Sequence, residues 1–406
     1  MPALTSQTSP ASPAEACRAL GFSTFAFTIC FAVWTIFSII GLQIREELLL
    51  GETQFGLLIG LPILTGSLVR IALGVLTDRL GGRRVYTLTM LAAAVATFLL
   101  SWASTWPQML IAALGVGLAG GSFAVGVAYV SRFYAKGRQG TALGIFGTGN
   151  VGAALTKFVA PFVMLAFGWQ ATAQIWAAAL ALTAVLFWIF SKEDPVTATG
   201  AGRRTSLRAE FAPLAQMRVW RFSAYYFFSF GGFVALALWL PHYLTQVYGF
   251  DIRTAGMIGA AYSIPGSIFR AYGGVLSDRI GARSVMYATF IVSLAATAIL
   301  SLPGAVPVSV FLIVIFVLGF FMSLGKAAVY KHIPSYYPAH VGAVGGLVGM
   351  IGGLGGFVLP LLFGWLRDQT GLWSSCFIAL FALVAACTLW MHASIRQMGR
   401  APLQAA

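Results

Sequence analysis

Apolar residues run along this chain in stretches of about 20, the length that crosses a lipid bilayer as helix. Short polar or Gly/Pro turns separate them, and the pattern predicts twelve spans. These are roughly 19–41, 53–77, 83–103, 107–134, 139–167, 169–191, 219–247, 253–277, 283–302, 306–333, 340–366 and 371–395. Most turns are brief, such as STWPQ (104–108) and SLPGAVP (301–307), so consecutive helices are expected to be antiparallel neighbours. One connection is long: residues 192–218, SKEDPVTATGAGRRTSLRAEFAPLAQM, separate six spans from six. The expected fold is an all-α membrane protein of two six-helix bundles, 19–191 and 219–395, joined by that linker. Residues 1–18 and 396–406 are tails.

The two bundles carry a duplicated segment. Residues 66–85 read GSLVRIALGVLTDRLGGRRV and residues 266–285 read GSIFRAYGGVLSDRIGARSV. Gly66, Ser67, Arg70, Gly74, Val75, Leu76, Asp78, Arg79, Gly81, Arg83 and Val85 recur unchanged 200 positions later. Duplication at that distance indicates two pseudo-symmetric halves. Each copy sets one arginine, Arg70 or Arg270, inside an apolar helix, eight residues before the turn aspartate. Eight residues are about 12 Å of helix, too deep for easy escape to an interface.

Composition agrees with the pattern: 59% of residues are hydrophobic and 9% charged. A net charge of +14 would suggest nucleic acid in a soluble protein, but its distribution says otherwise. Of 25 Lys and Arg, 17 fall at one set of helix ends, and only Arg45, Arg253 and Arg367 fall at the other. By the positive-inside rule both termini and the 192–218 linker are cytoplasmic, in the inner membrane of the cell. Basicity thus reports topology, and no nucleic-acid partner is expected. No signal peptide is evident in the small, polar start of the chain. Cys17, Cys30, Cys376 and Cys387 show no paired spacing and read as inert thiols. Trp102, Trp106, Trp169, Trp365 and Trp373 lie near span ends and read as interfacial anchors. No metal-ligand cluster, nucleophile–base arrangement or phosphate loop is visible, so an enzyme is not expected and no cofactor is required.

Inside the spans the charges do not balance. Arg70, Lys157, Arg270, Lys326 and Lys331 lie within apolar runs, whereas all eleven acidic residues fall in loops or at helix ends. A buried cation costs roughly 2.5–3.5 kcal/mol on insertion scales unless water or a counter-ion meets it. Snorkelling is reasonable for Lys331 and open for Lys157 and Lys326, but poor for the two arginines. An anionic substrate is the simplest partner for them. Guanidinium presents a flat, permanently charged fork matching planar oxyanions such as carboxylate or nitrate. Span eleven holds Gly342, Gly345, Gly346, Gly349, Gly352, Gly353, Gly355 and Gly356; span five holds Gly140, Gly144, Gly147, Gly149 and Gly152 around Asn150. Such glycines serve close helix packing, and their density also suits a narrow site for a small ligand.

The duplicated turn, G-x-L-x-D-R-x-G-x-R at 74–83 and, with the same pattern, at 274–283, resembles the loop motif of the major facilitator superfamily. That resemblance implies gating roles at helix ends for Asp78, Arg79, Asp278 and Arg279. GTALGIFGTGNVG (140–152) and GAVGGLVGMIGGLGG (342–356) resemble the paired glycine-rich signatures of its nitrate/nitrite porter family. GGSFAVGVAYVSRFY (120–134), YYFFSFGGF (225–233) and GKAAVYKHIPSYYP (325–338) extend the likeness over nearly the whole core. The implied substrate is nitrate, with nitrite, bound by Arg70, Arg270, Asn150 and the aromatic residues Phe123, Tyr226 and Phe230. The lysine-containing GKAAVYKHIP looks like the proton-coupled importing branch, which implies nitrate:proton symport by a monomer in the lipid bilayer. With no carboxylate in the spans, the candidate proton-linked groups are Lys326, Lys331, His332 and Lys157. A nitrate/nitrite antiporter needs no titrating group and is the alternative; an organic-anion exchanger would need a wider cavity.

Overall fold

A computed structural model of the chain describes residues 12–134, 136–194, 215–302, 306–336 and 341–400. Most of the 192–218 linker lies outside the described residues, as does the side chain of Asp78. The described chain is helical throughout: α1 Pro13–Trp34, α2 Phe37–Glu47, α3 Glu52–Leu80, α4 Gly82–Leu100, α5 Trp106–Val116, α6 Leu118–Ser131 and α7 Lys136–Gly147. A 3-10 turn, Thr148–Val151, leads into α8, Gly152–Phe190. Then follow α9 Met217–Tyr226, a π-helical stretch Phe227–Gly232, α10 Phe233–Tyr248, α11 Ile252–Ile280, α12 Ala282–Leu300, α13 Val308–Tyr336, α14 Val341–Thr370 and α15 Ser375–Arg400.

Ten helical stretches are long and apolar enough to cross a membrane by length and composition. One of them, Ala142–Phe190, holds two of the expected spans, because Gly168 at φ 82° breaks α8 between them. Helix α11 is a further 29-residue helix whose Arg253, Arg270, Asp278 and Arg279 lower its hydropathy. Each of the twelve expected spans therefore coincides with helix among the described residues.

The chain divides into two compact units, Met1–Leu49 with Leu61–Ser206, and Leu50–Gly60 with Leu207–Ala406. In the first, α1 packs along α8 where Gly152 lets the helices touch: a Cβ there would strike the carbonyl of Thr28. One turn earlier Gly149 lies against the ring of Phe27. The second unit repeats both contacts. Gly355 meets the carbonyl of Phe227 and the backbone of Gly231, and Gly352 meets the ring of Tyr226. The small-residue pattern thus serves close packing in each unit, which dispersion rewards when lipid supplies no hydrophobic drive.

The duplicated turns have a backbone reason for two of their glycines. Gly81 and Gly281 sit at φ 90° and φ 87°, a region open to glycine and strained for other residues. Beside the first turn, the carboxylate of Asp194 accepts from the Gly82 amide at 3.1 Å and from Arg132 Nη1 at 3.0 Å. This fully buried aspartate, just past the last span of its unit, ties α4 and α6 together at one end. Of the tryptophans expected as interfacial anchors, Trp169 is buried and Trp373 is half-buried. Trp169 donates its indole N–H to Glu47 at 2.8 Å. Trp373 packs edge-on to His242 and Tyr243. Trp102 and Trp365 are exposed.

Substitution tests the glycine contacts. Gly152→Ala and Gly355→Ala should each lower thermal stability in detergent by about 1–3 kcal/mol, the usual cost of overpacking. Gly144→Ala, with nothing within 4 Å of the new methyl, should leave the melting temperature unchanged or slightly raised.

Candidate functional site

In the first unit Arg70 lies partly buried on α3 with aromatic rings beside it. Its guanidinium carbon is 5.7 Å from the Trp34 ring centroid and 5.5 Å from that of Phe123. Trp34 is held in place from two sides. Its indole N–H donates to the Pro62 carbonyl at 2.7 Å, and its ring fills the space left by Gly66 and Gly120. Phe123 leans on Phe27, which stacks on Phe146 with centroids 4.9 Å apart. Asn150 stands in the 3-10 turn directly after Gly149, the residue seated on Phe27. Two turns further on, Lys157 is fully buried, its Nζ donating to the Ala153 carbonyl at 3.3 Å.

The second unit surrounds Arg270 differently. Its guanidinium lies 5.7 Å from the Tyr330 ring, and Tyr330 meets Tyr226 edge-to-face at 4.9 Å. Tyr226 stacks on Phe230 with planes 7° apart, one turn along, where the backbone widens into the π-helical stretch. Tyr330 donates to the Gly345 carbonyl at 3.0 Å, and a side chain at Gly349 would strike its hydroxyl. Beside this group Lys326 is buried. Its Nζ sits 3.1 Å from the centroid of Phe233 and donates to the Gly266 carbonyl, one turn before Arg270, at 3.3 Å. Among the described residues no carboxylate pairs with Arg270, Lys326 or Lys157.

Within one unit, then, Arg70 and Phe123 come together, and Asn150 follows Gly149, which packs on Phe27. Within the other, Arg270, Tyr226, Phe230 and Lys326 form one cluster. Lys331 is half exposed and paired with Asp278. Arg79 and Arg279 are exposed. His332 lies flat on Phe222 at 5.6 Å, away from the arginine group's aromatic residues. Trp34, Phe27, Phe233 and Tyr330 were not singled out from the sequence. Phe233 and Tyr330 belong to motifs quoted above, but neither spacing nor composition separates them from ordinary packing aromatics.

Cations faced by aromatic rings, with hydroxyl and carbonyl groups nearby, can bind an anion noncovalently and release it. Ring faces meet the cations, while ring edges, which are electropositive, can meet an anion.

The sequence model of the Major Facilitator Superfamily matches residues 22–255 and 243–402. The chain belongs to this superfamily, a family of multi-pass membrane transporters. Its relatives within that class include proteins named as nitrate/nitrite transporters. It is 42% identical, over 94% of its length and 92% of the relative's, to "Probable nitrate/nitrite antiporter NarK1" of Thermus thermophilus. It is 34% identical, over 91% and 94%, to "Probable nitrate/nitrite transporter NarK2" of Mycobacterium tuberculosis. Among solved structures, a bacterial homologue of the lysosomal transporter Spinster matches at TM-score 0.75 with 17% identity, covering 95% of this chain and 98% of that one. That likeness speaks for the fold alone.

Burial separates the lysines of α13. A water-soluble acylating reagent applied to the folded protein should modify Lys331 and Lys192, whose side chains are 48% and 62% exposed. Lys326 and Lys157 should remain unmodified until denaturation, as read by peptide mass spectrometry.

Proposed function

We propose that this chain exchanges nitrate and nitrite across the cytoplasmic membrane by alternating access, with Arg70 and Arg270 as its anion-binding groups. The observation that carries the reading is one aromatic-faced arginine in each unit, at duplicated positions inside apolar helices. Lipid cannot solvate guanidinium, and a planar anion matches its fork. Nitrate and nitrite fit that geometry, and they are the anions in the relatives' names. Asn150, Phe123, Tyr226 and Phe230 then position the anion. Asp78, Arg79, Asp278 and Arg279 serve as latches at the cytoplasmic helix ends, in keeping with the Lys331–Asp278 pair.

Exchange is favoured over symport on electrical grounds. Bringing one monoanion into a negative-inside cell costs about 2.3 kcal/mol per ~100 mV, and an outgoing monoanion cancels that cost without any titrating group. The name of the Thermus relative points the same way. Nitrate:proton symport is the second reading, and the buried Lys326 beside the Arg270 cluster is what favours it.

Labelled nitrate uptake into proteoliposomes decides between them. Under exchange, trapped nitrite stimulates uptake and an imposed pH gradient alone does not drive it. Under symport, an acid exterior drives uptake with no internal anion, and Lys326→Ala abolishes that drive. Arg70→Lys and Arg270→Lys should each weaken nitrate affinity by about tenfold or more, since lysine keeps the charge and loses the fork. Full affinity in both variants would refute the anion assignment.

A further inference from the structure

Helices α12 and α15 pack side by side in the second unit, and neither carries an acidic residue. A polar contact joins them near one end. The Tyr287 hydroxyl and His392 Nδ1 lie 3.3 Å apart, at hydrogen-bonding distance, and the histidine is exposed. An arginine stands one turn nearer the helix end from each partner: Arg283 four residues before Tyr287, and Arg396 four residues after His392. Residues four apart share a helix face, so each arginine stands above the Tyr–His contact. Both are exposed, and among the described residues neither guanidinium makes a hydrogen bond or ion pair. Arg283 also acts electrostatically on His332 of α13, as does Arg221 of α9. The positive field at this end therefore draws on three helices.

On the other side of the Tyr–His contact the surface turns apolar. Ile291, four residues beyond Tyr287, is 58% exposed, and Leu389, three residues before His392, is 70% exposed. One helical turn rises about 5.4 Å, close to the roughly 5–7 Å depth of one headgroup layer. Cations, then polar side chains, then apolar ones follow one another along the helix pair. Phosphate, ester groups and acyl chains follow the same order in a phospholipid.

The first half closes the equivalent place. Arg83, the counterpart of Arg283 at the duplicated position, lies 4.1 Å over the Trp188 ring and donates to the Trp188 carbonyl. Thr87 stands where the second half has Tyr287, and its hydroxyl turns back to the Arg83 carbonyl of its own helix at 3.0 Å. One arginine is engaged within its unit; the guanidinium of its counterpart has no such partner.

We propose that α12 and α15 dock one anionic phospholipid, with Arg283 and Arg396 on its phosphate, Tyr287 and His392 at its ester groups, and Ile291 and Leu389 along its chains. Guanidinium pairs with phosphate through charge-assisted, often bidentate hydrogen bonds. A choline or ethanolamine headgroup would bring its ammonium beside these arginines, with no carboxylate in either helix to meet it. A headgroup without a cation, such as that of phosphatidylglycerol, is the better match. The positive-inside pattern assigns this end to the cytoplasmic leaflet, where anionic lipids attract basic juxtamembrane residues. The site does not depend on which anion the protein carries.

Photolabelling of the full chain in mixed detergent–lipid micelles tests it. The probe is phosphatidylglycerol with a diazirine on its terminal glycerol, and labelled peptides are mapped by mass spectrometry. Label should reach residues 283–291 and 389–396. Unlabelled phosphatidylglycerol should displace it at a mole fraction about tenfold or more below that needed of phosphatidylcholine. Peptides holding Arg83 and Trp188 should show no such preference. Arg283→Gln and Arg396→Gln should each raise the phosphatidylglycerol needed for displacement about fivefold. Equal displacement by the two lipids in the wild type marks an ordinary boundary lipid and overturns the proposal, whatever the variants do. Labelling unchanged in the double Arg283→Gln, Arg396→Gln variant overturns it too. Displacement by inorganic phosphate as readily as by the lipid would assign the arginines to a soluble anion and refute the lipid site.

Discussion

A guanidinium cannot be neutral and cannot be comfortable in hydrocarbon, and this chain puts one in each half at the same place. Burial of that kind has to be met by water, by aromatic faces, by carbonyls or by an anion. The structure supplies the aromatic part: Trp34 and Phe123 beside Arg70, and Tyr330 beside Arg270. A ring face softens the cost of a cation without removing its charge. The glycine helices make this arrangement possible. Trp34 occupies the space where Gly66 and Gly120 have no side chains, and Gly352 does the same for Tyr226. Helix packing and cation placement are therefore one construction, and an added methyl at these glycines disturbs both.

The halves agree in backbone and differ in chemistry. Gly152 on Thr28 and Gly355 on Phe227 are the same contact made twice. Around that shared frame the second half adds the buried Lys326 on Phe233, while Arg70's partners Trp34 and Phe123 belong to the first half alone. The start of α3 shows the same divergence, since it takes its cap from Asp368 while α11 uses its own Asp251. Duplication fixes where helices run. Local substitution then decides which side chains surround each arginine and what caps each helix.

Much of this was legible beforehand, for a physical reason. Apolar runs must be helical in lipid, so the spans could be read from hydropathy, and an arginine inside such a run stands out because it is costly. The supporting contacts were not legible. Nothing distinguishes Trp34 or Tyr330 from other aromatics in a chain that is 14% aromatic. Trp169 reads as an anchor by position, yet its ring is buried, with its indole N–H on the exposed Glu47. Glu52 reads as a loop-end acid, and only the tertiary packing buries it against His242. Asp194 likewise looks like linker polarity until it is seen holding Arg132 and the start of α4. Helix-end charges are where linear reading fails, because their partners lie in other helices.

The most direct measurement is the dipolar coupling between nitrogen-15 nitrate and carbon-13 guanidinium carbons in membrane-embedded protein at low temperature. The predicted result is a coupling that corresponds to about 3–4 Å, hydrogen-bonding range for a guanidinium fork, and that disappears when Arg70 and Arg270 are both replaced by lysine. A nitrate signal with no guanidinium coupling in the wild type, or a coupling that survives the double replacement, would contradict it.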